Sequence, residues 1–300
     1  MKQKGLMWAP TSVWEGEVEV KLIISVASGK GGTGKTTIAC NLALAVGYCQ
    51  FLDYDVEAPN SSFFLKPQIK NIQKVSIKHP YFLTDTGADF RKCAEFCHYN
   101  AVAVVGKEVI FFPELCHGCG GCLLVGPPGA VREKEVAVGV IKKGAAKPNI
   151  DYYMGDLNPG SMRTVSVQAA LDSYISDQGL VIMDCPPGTS CSMVFAVKDC
   201  DYCILVTEPT PYGLNDLVLS IDVLKDLKKP FGVIINRDGI GDEEVEKYCN
   251  EKSIKILEKI PDDIEIARHY SRGETIIDYD PAYTSKFVNI LKEIEKEIMT

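Results

Sequence analysis

The stretch "KLIISVASGKGGTGKTTIACNLALAV" (Lys21–Val46) decides the fold. Its first part is a short apolar run rich in β-branched residues, the pattern of a buried parallel strand. Its last part repeats apolar residues at helical period. Between them, Gly29–Thr36 fits G-x4-G-K-[ST]. Glycines let the backbone curl so that several N–H groups face one anion, and the following helix aims its positive end at the same place. This predicts phosphate contacts from Gly29, Gly31, Gly32, Thr33, Gly34, Lys35, Thr36 and Thr37. Lys35 neutralises the β/γ-phosphates of a nucleotide, and the Thr36 hydroxyl is placed to ligate Mg²⁺.

Outward from this stretch, "QFLDYD" reads as the next strand, and "GLVIMD", "YCILVTEP" and "FGVIINR" as later ones, with "LNDLVLSIDVLKDL" a helix between. Alternating strands and helices imply an α/β fold, a mostly parallel, doubly wound sheet covered on both faces. The middle of the chain breaks the pattern, being rich in Cys, Gly, Pro and short β-like pieces. The expected organisation is therefore an N-terminal extension (1–20), a nucleotide-binding domain (21–67 and 149–300) and a small inserted domain (68–148). The net charge of −8 over 300 residues disfavours nucleic-acid backbones. No apolar run has the length of a membrane helix, and the first twenty residues show no secretory h-region. A reducing cytoplasm is the expected home, where twelve cysteines point to metal or redox chemistry before disulfides.

Lys30, a second lysine inside the loop, gives "KGGTGKT", which resembles the deviant phosphate loop of the MinD/Mrp/ParA class of ATPases, a class that includes the nitrogenase iron protein. The resemblance implies that Lys30 reaches across a homodimer interface to the partner's nucleotide. It extends to "LDYDVEAPN" and "VIMDCPPGT", whose aspartates end strands on the ligand side of an open α/β sheet. On this resemblance Asp55 orients the attacking water, Asp53 supports the metal site, Asp184 holds Mg²⁺ through water, and Gly188 offers an N–H to the γ-phosphate. "VTEPTPYGLNDL", "GVIINR" and "IPDDIEIARHYSRGE" are similar to the same class, which would make Asn236 the adenine-reading residue.

The insert carries "CHGCGGCLLVGPPGAV" (Cys116–Val131) and, upstream, "CAEFCHYNAVAV", two copies of one short pattern. This resembles a subgroup of MinD-type ATPases with an inserted two-cluster ferredoxin-like α+β domain. In such ferredoxins each cluster takes three cysteines from one C-x2-C-x2-C run and the fourth from the other run. Laid on this chain, one cluster draws on Cys97, Cys116, Cys119 and Cys122, all present. The other needs positions 87, 90, 93 and 126, and these are Gly87, Phe90, Cys93 and Gly126. The expectation is one [4Fe–4S] cluster, with an apolar plug around Phe90 in place of the second and Cys93 structural. A four-thiolate zinc site and a metal-free relic are the other readings of the run. His98 and His117 are read as surface or supporting residues rather than ligands.

The remaining cysteines read mostly as small buried hydrophobes. Cys200 and Cys203 ("CDYC") have the spacing of a redox or interface pair, but core packing is the leading reading, with i and i+3 on opposite strand faces. Cys185 and Cys191 flank "PPGT" near the expected nucleotide. At the C-terminus, Phe287, Ile290, Leu291, Ile294 and Ile298 share one helix face whose opposite side balances lysines with glutamates. Such balance favours docking on the core over a membrane surface. Together these features predict a slow, Mg²⁺-dependent, dimeric ATPase using Lys30, Lys35 and Asp55. Its nucleotide state would be coupled to cluster handling or electron transfer with a cluster-accepting or redox protein. The rival reading is a positioning or partition ATPase whose insert only docks a partner.

Overall fold

The computed structural model describes residues 21–146 and 149–299; the extension 1–20 lies outside the described residues. In chain order the elements are β1 (Leu22–Ser28), α1 (Lys35–Val46), β2 (Tyr48–Asp53), α2 (Ser61–Leu65), β3 (Gln68–Phe82), α3 (Arg91–Phe96), β4 (Val102–Val105), β5 (Glu108–Phe111), α4 (Gly121–Val125), β6 (Val131–Ala146) and β7 (Asn149–Leu157). They continue with α5 (Thr164–Asp172), β8 (Leu180–Pro187), α6 (Cys191–Val197), β9 (Tyr202–Thr207), α7 (Pro211–Asp226), β10 (Phe231–Asp238), α8 (Glu244–Glu251), β11 (Ile256–Pro261), α9 (Ile264–Ser271), α10 (Ile276–Tyr279) and α11 (Tyr283–Met299).

Nine strands form one sheet in the order β11-β10-β9-β1-β8-β2-β7-β6-β3. Neighbours from β11 to β7 are all parallel, while β6 runs antiparallel to both β7 and β3. All seven residues of β1 are buried, as a strand covered on both faces requires. Separate apolar layers cover the two faces, one around Ile24, Leu42 and Phe287, the other around Ile23, Leu171 and Leu205. The register pairs both Val26 and Asp53 with Asp184, so the carboxyl ends of β1, β2 and β8 meet at one level. That is where open α/β sheets bind ligands.

Helix α11 docks on the core as the sequence predicts, burying Phe287, Ile290, Leu291 and Ile294 beside α1. This explains why α1 is apolar on almost every side: the sheet covers one face and α11 the other. Ile298 departs from the expected stripe and is exposed, one turn beyond the last docked residue. Lys255, exposed just before β11, pairs with Glu293 and Glu297, and Lys286 pairs with Glu258.

The segment 68–148 is less separate than its composition implies. Its ends are the long strands β3 and β6, which extend the main sheet at one edge. Only residues 83–130, with the β4–β5 hairpin and the short helices α3 and α4, stand outside it. The exposed side of β3 carries Lys70, Lys74 and Lys78, charges that discourage edge-to-edge pairing with another chain.

Candidate functional site

The loop between β1 and α1 curls as its glycines allow. Gly34 has φ 90°, a left-handed conformation that few side chains tolerate. A Cβ there would also lie 2.3 Å from the Asn236 amide. That amide donates to Thr33 O at 2.8 Å, tying the end of β10 to the loop. No side chain caps the start of α1, so the first-turn N–H groups of Lys35, Thr36 and Thr37 remain available to an anion. The loop opens on a cavity of about 410 Å³ bordered by Gly31, Gly32, Gly34, Lys35, Thr36, Thr37, Asp55 and Asn236, with Pro261 and Ile266 on its far wall. This is the size range of small-ligand and cofactor sites.

Lys35 is buried and donates to Asp55 Oδ2 at 3.0 Å, with Asp184 Oδ1 at 3.8 Å. Burial alone would lower its pKa. The carboxylates of Asp184, Asp55 and Asp53 reverse that and hold it well above the ordinary lysine value. Asp184 is fully buried, and neither of its oxygens completes a hydrogen bond. Burial raises its pKa, and Lys35 and the nearby Thr36 hydroxyl pull it part of the way back. A buried carboxylate without donors, beside Thr36, fits a hydrated cation at this point. Asp53 is occupied differently. It accepts from the Ser61 hydroxyl at 2.6 Å, the Ser61 N–H and the Asp55 N–H, so it acts on the site by fixing the loop that carries Asp55. Its pKa is also raised, by burial first and then by Asp184.

Gly188 follows β8 with its N–H donated to Ser28 O at 2.8 Å; offering it to a γ-phosphate requires this turn to shift. Gly29 packs against α7, where a Cβ would meet Asp216 O at 2.2 Å. Lys30 pairs with Glu208 Oε2 at 2.9 Å, and Glu208 also accepts from Arg237 at 2.6 Å.

The cysteines of the outlying segment divide into two groups. Cys97, Cys116, Cys119 and Cys122 all border one cleft beside His117 and Gly118. The loop reaches this shape through left-handed glycines, Gly118 at φ 66° and Gly120 at φ 74°. The Gly118 N–H points to Cys116 Sγ at 3.4 Å and the Ala101 N–H to Cys97 Sγ at 3.3 Å. At Cys116 burial outweighs this N–H contact and raises the thiol above its ordinary value. Burial, followed by Cys93, Cys97, Cys116 and Cys119, pushes the Cys122 thiol up to about 12. Among the described residues no three His, Cys, Asp or Glu side chains close on a single metal ion. His117 stacks on Tyr99 at 3.6 Å at the rim, and His98 packs edge-on against Tyr99.

The second group is apolar. Phe90 and Cys93 are buried with Phe82, Val102, Ala130 and Val131. A Cβ on Gly126 would lie 3.1 Å from Cys93 Sγ and 2.6 Å from Val131 Cγ2. Positions 90, 93 and 126 thus converge on one filled knot, whereas Gly87 lies outside it in an exposed turn.

A family profile described as the CobQ/CobB/MinD/ParA nucleotide binding domain matches residues 24–276. The chain belongs to that family. It is a P-loop ATPase of the MinD/ParA type. An uncharacterized protein of Methanocaldococcus jannaschii is 29% identical over 267 residues, spanning 86% of this chain and 93% of that protein. The iron-sulfur cluster carrier protein of the same organism is 24% identical over a 322-residue alignment covering 99% of this chain and 91% of its own. The fold is shared with the septum site-determining protein MinD complexed with Mg-ADP from Pyrococcus horikoshii, at 20% identity, TM-score 0.58, and 92% and 97% coverage of the two chains.

Several residues of this MinD/ParA-type chain were not legible as site residues. Glu208 sits inside the quoted "VTEPTPYGLNDL", but nothing in the string marks it as the partner of Lys30. Glu57 sits inside the quoted "LDYDVEAPN", but nothing in the string marks it as the partner of Thr164; Arg163 carries no motif, and only the fold brings it near the site. Cys200 and Cys203 are buried in the same core layer as Cys185, not on opposite faces, because Cys200 precedes β9 rather than lying in it. Cys40, Cys49 and Cys249 are likewise buried, while Cys191 is exposed. Among the described residues no helix is long and apolar enough to cross a membrane.

Proposed function

We propose that this ATPase is a cytoplasmic homodimer that binds ATP with Mg²⁺, hydrolyses it slowly, and carries one [4Fe–4S] cluster on Cys97, Cys116, Cys119 and Cys122. The convergence of these four thiols on one cleft is the observation that carries the reading. Cys97 is separated from Cys116 by the β4–β5 hairpin, so its presence there is a product of the fold and not of local spacing. Three cysteines at two-residue spacing, with a fourth from the other copy of the pattern, suit a four-iron cube better than a lone tetrahedral zinc. The likeness to proteins named iron-sulfur cluster carriers supports the same reading. When bound, the cluster would supply one-electron chemistry or be passed on whole.

At the nucleotide site, Lys35 and the N–H groups opening α1 would hold the phosphates, while Thr36 and Asp184 would hold Mg²⁺, Asp184 through water. Asp55, tethered by Asp53, would orient the attacking water, and Asn236 would face the base. Lys30 would leave Glu208 and neutralise phosphate on the partner protomer. Positioning and charge neutralisation are nearly all that such a site contributes, which is why turnover would be slow.

The test is iron retention by single variants. Cys97→Ser and Cys119→Ser, purified anaerobically, should each lose their bound iron and keep ATP turnover. Full iron in either variant contradicts the ligand set. Robust ATP turnover with no iron in the unmodified chain would favour a positioning ATPase whose outlying segment only docks a partner.

A further inference from the structure

Helix α5 begins where three functional segments come within reach of six residues. The Arg163 side chain, buried just before the helix, donates from Nη2 to Glu114 O at 2.6 Å. Glu114 lies two residues before Cys116. The next residue, Thr164, donates its hydroxyl to Glu57 Oε1 at 2.6 Å, and Glu57 lies two residues after Asp55. One turn on, the Gln168 amide donates to Tyr54 O at 3.0 Å and to Ser192 O at 3.2 Å. Ser192 lies in the first turn of α6, which follows the Gly188 turn. The chain before α5 is fixed as well, with Leu157 N–H donating to Val56 O at 2.8 Å.

Arg163 also stands out by its charge. Among the described residues it makes no ion pair, although the residue as a whole is buried. A buried cation without a counter-charge is costly. The groups that feel its field include Cys116 and His117 of the cysteine loop. Four thiolates around an iron cube would supply the anion that this guanidinium lacks.

We propose that Arg163 and Thr164 are positioning residues that couple the nucleotide site to the cysteine loop. The route runs Asp55–Glu57–Thr164–Arg163–Glu114–Cys116, and its cluster end rests on the reading given under Proposed function. Phosphates that compete for Lys35 release Asp55, and the 54–57 loop moves with it. Glu57 then draws on Thr164, and the adjacent Arg163 shifts its charge and its hydrogen bond relative to the loop that carries Cys116, Cys119 and Cys122. Both groups sit on consecutive residues of rigid backbone, so one cannot move far without the other.

The experiment uses the full chain twice, anaerobically iron-loaded and after chelation. In the chelated chain, hydrogen exchange of amides 114–122 and the alkylation rate of Cys119, which is exposed, are read with Mg-ADP and with a non-hydrolysable Mg-ATP analogue. The two nucleotides should give rates differing by about five-fold or more. Thr164→Val, Glu57→Ala and Arg163→Gln should each bring that ratio close to one while nucleotide affinity stays unchanged. In the loaded chain the same variants should abolish any nucleotide-dependent shift of the cluster's EPR signal. A ratio that persists in Thr164→Val and Glu57→Ala, or that is near one in the unmodified chain, overturns the coupling. An absence of iron in the loaded preparation, with the alkylation ratio intact and lost in the variants, overturns the cluster reading and leaves the coupling standing.

Discussion

Lys35 Nζ lies 3.0 Å from Asp55 Oδ2, so the lysine of the phosphate loop and the carboxylate assigned to the attacking water share one buried ion pair. A phosphate must compete with Asp55 for that ammonium. Lys35→Ala should therefore act twice. It should weaken nucleotide binding by two orders of magnitude or so, and it should destabilise the protein by about 3–5 kcal/mol, because Asp55 and Asp184 stay buried without their cation. Calorimetric titration and chemical denaturation check the two effects separately.

Asp184 predicts a pH dependence of definite sign. Its pKa is raised in the folded chain, with burial the largest cause. The native state then binds the proton more tightly than the unfolded state does. Its contribution to stability is most favourable in acid, below the ordinary carboxylate range, and declines as pH rises through the raised value. Asp184→Asn should consequently stabilise the nucleotide-free protein near neutral pH, by an amount that shrinks toward pH 4. Melting temperatures of both proteins across this range decide it; a variant that is less stable than the parent at pH 7 refutes the account. The same variant should bind Mg-nucleotide more weakly, since a hydrated cation needs the charge.

Lys30 is held by Glu208 in its own chain at 2.9 Å. Acting on a partner's nucleotide requires breaking that pair. Lys30→Ala should leave nucleotide affinity within about two-fold and depress hydrolysis by some 10²-fold or more, the scale of removing a transition-state charge. Steady-state turnover beside an equilibrium binding assay separates the two, and unchanged turnover would make Lys30 a bystander.

The filled knot around Phe90 is structural in this account. Phe90→Ala should cost about 3–5 kcal/mol through the cavity it leaves. Cys93→Ser should leave the iron content untouched. Iron loss on Cys93→Ser in a protein that melts normally would place Cys93 among the ligands.

The parts of this molecule that a linear string can carry were readable from it. The phosphate loop, Asp55 and Asp184 lie within short motifs at strand ends, so their convergence follows from the α/β alternation alone. The meeting of Cys97 with Cys116, Cys119 and Cys122 follows from a duplicated cysteine pattern. What stayed hidden depends on partners far apart in sequence. Glu208 is an ordinary glutamate until β9 brings it to Lys30, and Arg163 is an ordinary arginine until the fold lays Glu114 against it. β3 resembles a piece of a separate domain because its lysine-rich, largely exposed sequence is that of an edge strand, and β6 because it mixes charged and apolar residues where it joins that edge to β7. Nothing in either names the sheet they extend.

Iron and acid-labile sulfide counted per chain, on protein purified without oxygen, test the central claim most directly. The account predicts about four of each, held by a diamagnetic oxidised cube that becomes EPR-active on one-electron reduction. About eight would mean that a second site survives around Cys93, and a stoichiometric zinc with no iron would replace the cube altogether.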